Sequence, residues 1–122
     1  SSLGEMLEKN RPGFKQLVEL SLFQANGEGQ IIDRLEQAWK DKFHGLVINA
    51  GAYTHTSLAI ADCLAWIKIP YVEVHLSNIL ARESFRHQSL LARNSLGVIA
   101  GFGLMSYVLA VEALFNHCQH QH

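Results

Sequence analysis

The 122-residue chain is poor in cysteine and proline, with two of each, and it has no excess of charge of either sign. Its cysteines, Cys63 and Cys118, form no CxxC or CxxxC cluster, so free thiols in a reducing cytoplasm are expected. Ten Lys plus Arg stand against eleven Asp plus Glu, a formal net charge of -1, which leaves no global positive field to hold phosphate backbones. No nucleic acid partner is expected. The longest apolar runs are broken by Asp62, Lys68, Glu73 or Glu112 well short of the roughly 20 residues that cross a bilayer, so no membrane span is expected either. No basic segment followed by an apolar stretch marks a targeting signal at either end. HExxH, paired Cys/His spacings, G-x-G-x-x-G and Walker patterns are all missing, which argues against a metal or a nucleotide as cofactor.

What remains is 48% hydrophobic and 17% charged, a balance that suits one compact domain spanning 1–122. Four short segments rich in Val, Ile, Leu and Phe and bounded by Gly, Pro or Asn read as strands: 20–26 (LSLFQAN), 45–50 (GLVINA), 70–77 (PYVEVHLS) and 96–103 (LGVIAGFG). Between them lie stretches of helical length at 29–42, 57–67 and 79 to about 91, and a last helix is expected over 105–116. Strands alternating with helices predict an α/β fold with a parallel sheet, helices on both faces and ligands at the carboxyl ends of the strands. The chain opens with a helix-like segment, 3–20, broken at Arg11-Pro12-Gly13, and no strand precedes it. In the flavodoxin-like order 2-1-3-4-5 the first strand is central. Either the chain is an N-terminally incomplete piece of such a domain, or the sheet is rearranged. The segment SLAIADCLAWI at 57–67 is apolar nearly all round, which fits a helix covered on more than one side, by a second subunit or within its own domain.

Alternation along the third expected strand puts Tyr71, Glu73, His75 and Ser77 on one face and Val72, Val74 and Leu76 on the other. Central parallel strands are usually apolar on both faces, so a carboxylate beside an imidazole there needs a reason. Glu73 can accept the ring N–H of His75, fix its tautomer and favour the imidazolium, which makes His75 a candidate general acid or base. The competing reading is a mutually satisfied structural pair. After the second strand, the polar turn 49–57 brings Asn49 and His55 to the same edge of the sheet, with Thr56 or Ser57 available to cap the next helix; each of Asn49 and His55 could equally be a local hydrogen-bonder. Arg82 and Arg86, four apart on one helical face, favour an anionic substrate or a depressed pKa in a nearby acid, unless that face is merely solvated. Gly101-Phe102-Gly103 is only a fragment of a phosphate loop, and the His-containing tail after Asn116 reads as a frayed terminus.

Taken together, FQANGEG (23–29), INAGAYTHTSLAIAD (48–62), EVHLSN with ARESFRH (73–87) and GVIAGFG (97–103) resemble the type II 3-dehydroquinate dehydratases, in order and without large gaps over 23–115. The resemblance implies a flavodoxin-like three-layer sandwich, no metal or cofactor, and trimers assembling to a dodecamer. It implies a cytoplasmic lyase that reversibly dehydrates 3-dehydroquinate to 3-dehydroshikimate through an enolate-like intermediate, in the shikimate pathway or in quinate breakdown. On that resemblance His75 is the general acid, held by Glu73, and Ser77 with the Leu76 backbone amide binds the substrate carboxylate. Asn49, His55 and Arg86 bind substrate hydroxyls, Arg82 lowers the pKa of the base, and Asp62 reaches a neighbouring subunit's site. The family also begins with a strand ending in Asn-Gly-Pro-Asn-Leu-Asn and a lid carrying an Arg and the Tyr base, and neither motif occurs in these 122 residues. Tyr53, Tyr71 and Tyr107 sit in other motifs, so none is assigned the base role. A relative that binds without converting is the alternative to an enzyme.

Overall fold

The computed structural model describes residues 2–78 and 89–120. Three parallel strands, β1 (Leu46–Ile48), β2 (Tyr71–His75) and β3 (Gly97–Ala100), pair in the order β1-β2-β3. Leu46 pairs with Tyr71 and Ile48 with Glu73 on one side of β2, while Val72 pairs with Gly97 and His75 with Ala100 on the other. The strand bearing Glu73 and His75 is therefore central, and all five of its residues are buried.

Helices cover both faces. On one, α2 (Glu28–Lys40) and α4 (Leu58–Ile67) pack Leu35, Ala38, Ile60, Leu64 and Ile67 against Ile48 and Tyr71. On the other, α5 (Met105–Gln119) lays Ala110 and Leu114 on Val72 and Val74, and α1 (Ser2–Asn10) closes over it through Leu7, Val108 and Val111. The odd and even residues of β2 thus enter different cores, as alternation along a strand requires. Each fully buried Leu, Ile or Val contributes about 1.5–3 kcal/mol, so the two cores pin the register of β2 from both sides.

Local chemistry sets the helix ends. Ser57 rather than Thr56 caps α4, its hydroxyl accepting from the Ile60 N–H at 3.0 Å, and Lys68 ends the helix in the left-handed region with Pro70 soon after. The side-chain oxygen of Gln30 accepts from the Gly27 N–H at 3.3 Å at the start of α2. The break at Arg11-Pro12-Gly13 is real: α1 stops at Asn10, Gly13 turns the chain with a φ of 88°, and a single 3-10 turn follows at Phe14–Gln16. Arg11 then ties this corner to α5 through Glu112 at 2.8 Å and stacks over Phe115.

One expectation fails. Residues 20–26 form no strand, and Leu22 and Phe23 are 59% and 51% exposed. A strand is stabilised by its ladder, and in the flavodoxin-like order this segment has one ladder partner, the first strand, whose place beside β1 no described residue fills. Arg34 of α2 holds the segment instead, stacking on the Phe23 ring and donating to the Ser21 hydroxyl at 3.0 Å. Of the helix expected over 79 to about 91, only the last residues are described. Residues 79–88 lie outside the described residues, and Ser89, Leu90 and Leu91 are not helical. There the Ser89 hydroxyl accepts the N–H groups of Leu91 and Ala92, which competes with a helical ladder and starts a 3-10 turn at Ala92–Asn94.

Candidate active site

At the carboxyl end of β2, Glu73 is fully buried and His75 is 7% exposed. Their side chains lie on the same face, and the Glu73 Oε2 is 2.6 Å from the His75 Nε2. The other carboxylate oxygen, Oε1, accepts from the Ser89 hydroxyl at 2.8 Å. Charge-assisted bonds at such distances, away from water, orient an imidazole ring. Beneath the pair, the Tyr71 hydroxyl donates to the Leu91 carbonyl, and its pKa is pushed up to about 12, first by burial and then by the Glu73 charge. The phenol is thus a neutral donor at the floor of the site.

Asn49 follows β1 by one residue, beside the end of β2. Its Oδ1 accepts from the Gly51 N–H at 3.3 Å, and its Nδ2 donates to the Tyr107 hydroxyl of α5 at 3.2 Å, so the side chain is oriented from both sides. An open cleft of about 480 Å³ runs from here, lined by Asn49, Gly51 and Tyr53 with Ala25, Asn26 and Ile31 opposite. The Tyr53 hydroxyl, donating to the Asn26 carbonyl at 3.0 Å, bridges its two walls. His75 does not line this cleft. His55 lies in the one-turn helix α3 (Tyr53–Thr56), on the loop that leaves β1.

Leu76 and Ser77 turn away just past β2, and the Gly101-Phe102-Gly103 turn closes over them. The Gly101 N–H donates to the His75 carbonyl at 3.1 Å and the Gly103 N–H to the Leu76 carbonyl at 2.8 Å. Both glycines have positive φ, 96° and 58°, the conformation that lets the backbone fold back this tightly. The fragment that resembled a phosphate loop is a clamp on the end of β2. Asp62 is exposed on α4, away from the strand ends. Arg82 and Arg86 fall outside the described residues.

The structure therefore brings together Glu73 and His75 and sets Asn49, His55, Leu76 and Ser77 at the same end of the sheet. Two residues escaped the sequence reading. Tyr107 orients Asn49 from a helix 58 positions away, and Ser89 holds Glu73 from 16 positions away. Neither separation carries a helix or strand period, so no local pattern could have announced them.

The model of the family described as dehydroquinase class II matches residues 2–115. The chain belongs to that family. It is 54% identical over 107 residues to the 3-dehydroquinate dehydratase of Synechococcus sp. (strain CC9605), covering 88% of this chain and 73% of that protein. It is 53% identical over 105 residues to that of Exiguobacterium sp. (strain ATCC BAA-1283 / AT1b), covering 86% of this chain and 71% of that protein. The crystal structure of the type II dehydroquinase from Butyrivibrio crossotus DSM 2876 superposes with a TM-score of 0.82 at 40% identity, over 93% of this chain and 78% of that one. The type II dehydroquinase from Propionibacterium acnes gives 0.78 at 37% identity, over 93% and 82%. The flavodoxin-like three-layer arrangement is thus the family's own, with the described strands forming part of its sheet.

Proposed function

We propose that this chain is a class II dehydroquinase, a hydro-lyase that reversibly removes water from 3-dehydroquinate to give 3-dehydroshikimate. The observation that carries the reading is the buried Glu73–His75 pair at the carboxyl end of the central strand, 2.6 Å apart, in a chain whose family match spans residues 2–115. Loss of a proton next to a ketone is eased when the enolate oxygen finds fixed donors, and loss of the hydroxyl is eased when an acid delivers a proton to it. In this reading the His75 imidazolium gives its proton to the departing hydroxyl, which leaves as water, and Glu73 holds the ring through that step. Ser77 and the Leu76 backbone amide bind the substrate carboxylate. Asn49, His55 and Arg86 take the ring hydroxyls, and Arg82 favours the ionised form of the base.

The base is assigned to none of the three tyrosines. Tyr71 is buried and held neutral, Tyr53 donates to Asn26, and Tyr107 is occupied with Asn49. In this reading residues 1–122 form a single dehydroquinase-like domain, and the resemblance gives the abstraction step to a lid tyrosine, a motif not among these residues. The same reading places the chain in the shikimate pathway, or in quinate breakdown, inside the reducing cytoplasm where Cys63 and Cys118 stay free. Among the described residues no helix is long and apolar enough to cross a membrane.

An assembly of identical subunits, trimers building a dodecamer, is part of the reading. Supporting it, α4 leaves Leu58 and Trp66 at 65% and 61% exposure on a helix whose other face is core, with Trp39 of α2 stacked on Trp66 and Asp62 between them in sequence. Large exposed apolar side chains grouped on one helix mark a surface that a second copy of the chain can cover, and Asp62 would then enter a neighbour's site. The test is conversion of 3-dehydroquinate by the full-length protein, followed by the absorbance of the conjugated product. Activity that disappears in His75→Ala supports the reading. Binding of substrate without any conversion by the wild-type protein sinks it in favour of a non-catalytic relative.

A further inference from the structure

We propose that Ser89 is a positioning residue for the acid of the reaction: its hydroxyl fixes Glu73 so that the opposite carboxylate oxygen faces His75. The inference rests on the dehydratase reading for its kinetic consequences but not for its geometry. Ser89 is 6% exposed, and its oxygen meets three partners at once. It accepts from the Leu91 N–H at 3.2 Å and from the Ala92 N–H at 3.1 Å, and it stands 2.8 Å from the Glu73 Oε1. A hydroxyl has one proton and two acceptor sites. With both acceptor sites filled by backbone donors, the proton can point only at the carboxylate. The donor is thus locked by the chain itself and needs no reorganisation when the pair changes charge.

The consequence follows from the burial of Glu73, which has no water to solvate its charge. One oxygen is satisfied by His75 and the other by Ser89, a neutral donor that does not compete for the histidine's proton. Removing the Ser89 hydroxyl leaves a buried carboxylate oxygen unpaired, which favours protonation of Glu73, and a protonated Glu73 can no longer hold an imidazolium. Other titratable groups of that layer include the Tyr71 phenol, kept neutral by burial, the Cys63 thiol of α4, raised by burial and by Glu36, the Glu28 carboxylate of α2, which accepts from the Ser57 hydroxyl, and His55 of α3. The Tyr71 phenol feels the Glu73 charge, and its high pKa keeps it out of the neutral range. Opposite them, across the sheet, α5 presents Ala110 and Leu114 to β2, with the Tyr107 phenol, which accepts from the Asn49 amide, packed beside them.

The experiment compares the full-length protein with Ser89→Ala, Ser89→Thr and Ser89→Cys. It measures kcat and KM against pH, together with the titration of the His75 ring protons by NMR in the substrate-free protein. For Ser89→Ala the acidic limb of the kcat profile moves up by about one pH unit, so that kcat at pH values below the limb falls roughly tenfold, with KM changed less than about twofold. Ser89→Thr, which keeps the hydroxyl, restores the limb, and Ser89→Cys, a weaker donor, shifts it part of the way. A Ser89→Ala protein that melts earlier but keeps the wild-type profile and the wild-type His75 titration overturns the proposal, because Ser89 would then only start the 3-10 turn. If Ser89→Ala does not fold, a wild-type profile in Ser89→Cys overturns it equally. The NMR arm separates the two readings: a wild-type protein that lacks dehydratase activity refutes the proposed function, whereas an unmoved His75 titration refutes the role of Ser89.

Discussion

Glu73→Gln is the substitution whose outcome the geometry constrains most. The change is nearly isosteric and removes one charge from a fully buried position. An amide offers one acceptor and one donor end, and the structure dictates which goes where. Ser89 must donate, because the Leu91 and Ala92 N–H groups occupy its acceptor sites, so the amide oxygen faces Ser89 and the amide NH2 faces the His75 Nε2. That arrangement accommodates a neutral imidazole with a bare Nε2 and opposes a protonated one, whose N–H would meet another donor. The lost hydrogen bond to a charged group is worth about 1.5–3 kcal/mol, which corresponds to about one to two pH units and to a 10- to 100-fold loss in the population of the acid form. With the carboxylate gone, the cation loses its partner. The basic limb of the kcat profile therefore moves to lower pH, and kcat at pH 7 falls by roughly 10- to 100-fold. The assay is product absorbance over pH 5–9, with far-UV circular dichroism to show that the variant is folded. A folded Glu73→Gln enzyme with the wild-type kcat and an unmoved basic limb would refute the idea that this carboxylate holds an acid at all.

Further outcomes follow from other contacts. Tyr71 has its pKa raised to about 12 from the ordinary phenol value of 10.0, by burial first and then by the Glu73 charge. Its neutral form is favoured in the folded state, so the stability it contributes is complete below pH 10 and is lost as pH rises towards 12; urea denaturation should register a fall of about 2 kcal/mol across that window, absent in Tyr71→Phe. Gly101→Ala puts a side chain at a φ of 96° with its Cβ 3.5 Å from the Asn78 Cα; unfolding free energy should drop by about 1–2 kcal/mol, and an unchanged melting curve would show that the clamp on β2 tolerates a different turn. Leu64→Ala opens a cavity between α4 and the sheet at a residue 2% exposed, and it should cost about 2–5 kcal/mol in chemical denaturation.

The chain on its own determined what depends on neighbours in sequence. Period-two alternation in YVEVH decided that Glu73 and His75 share a face, and β2 keeps that division with Val72 and Val74 in the opposite core. Proline, glycine and serine at 11–13, 57 and 70 punctuated the elements because their effects act within a few residues. The strand read at 20–26 had the right composition, but a strand exists only through hydrogen bonds to a partner, and composition cannot say whether the partner's place is filled. The same limit applies to the site. That a glutamate and a histidine face one another is local, whereas Ser89 and Tyr107 reach Glu73 and Asn49 only because the sheet and its covering layers bring distant segments within 3.2 Å. Tertiary structure alone decided which hydroxyl holds which acid, since hydrogen bonds are set by distance in space and the sequence records only order along the chain.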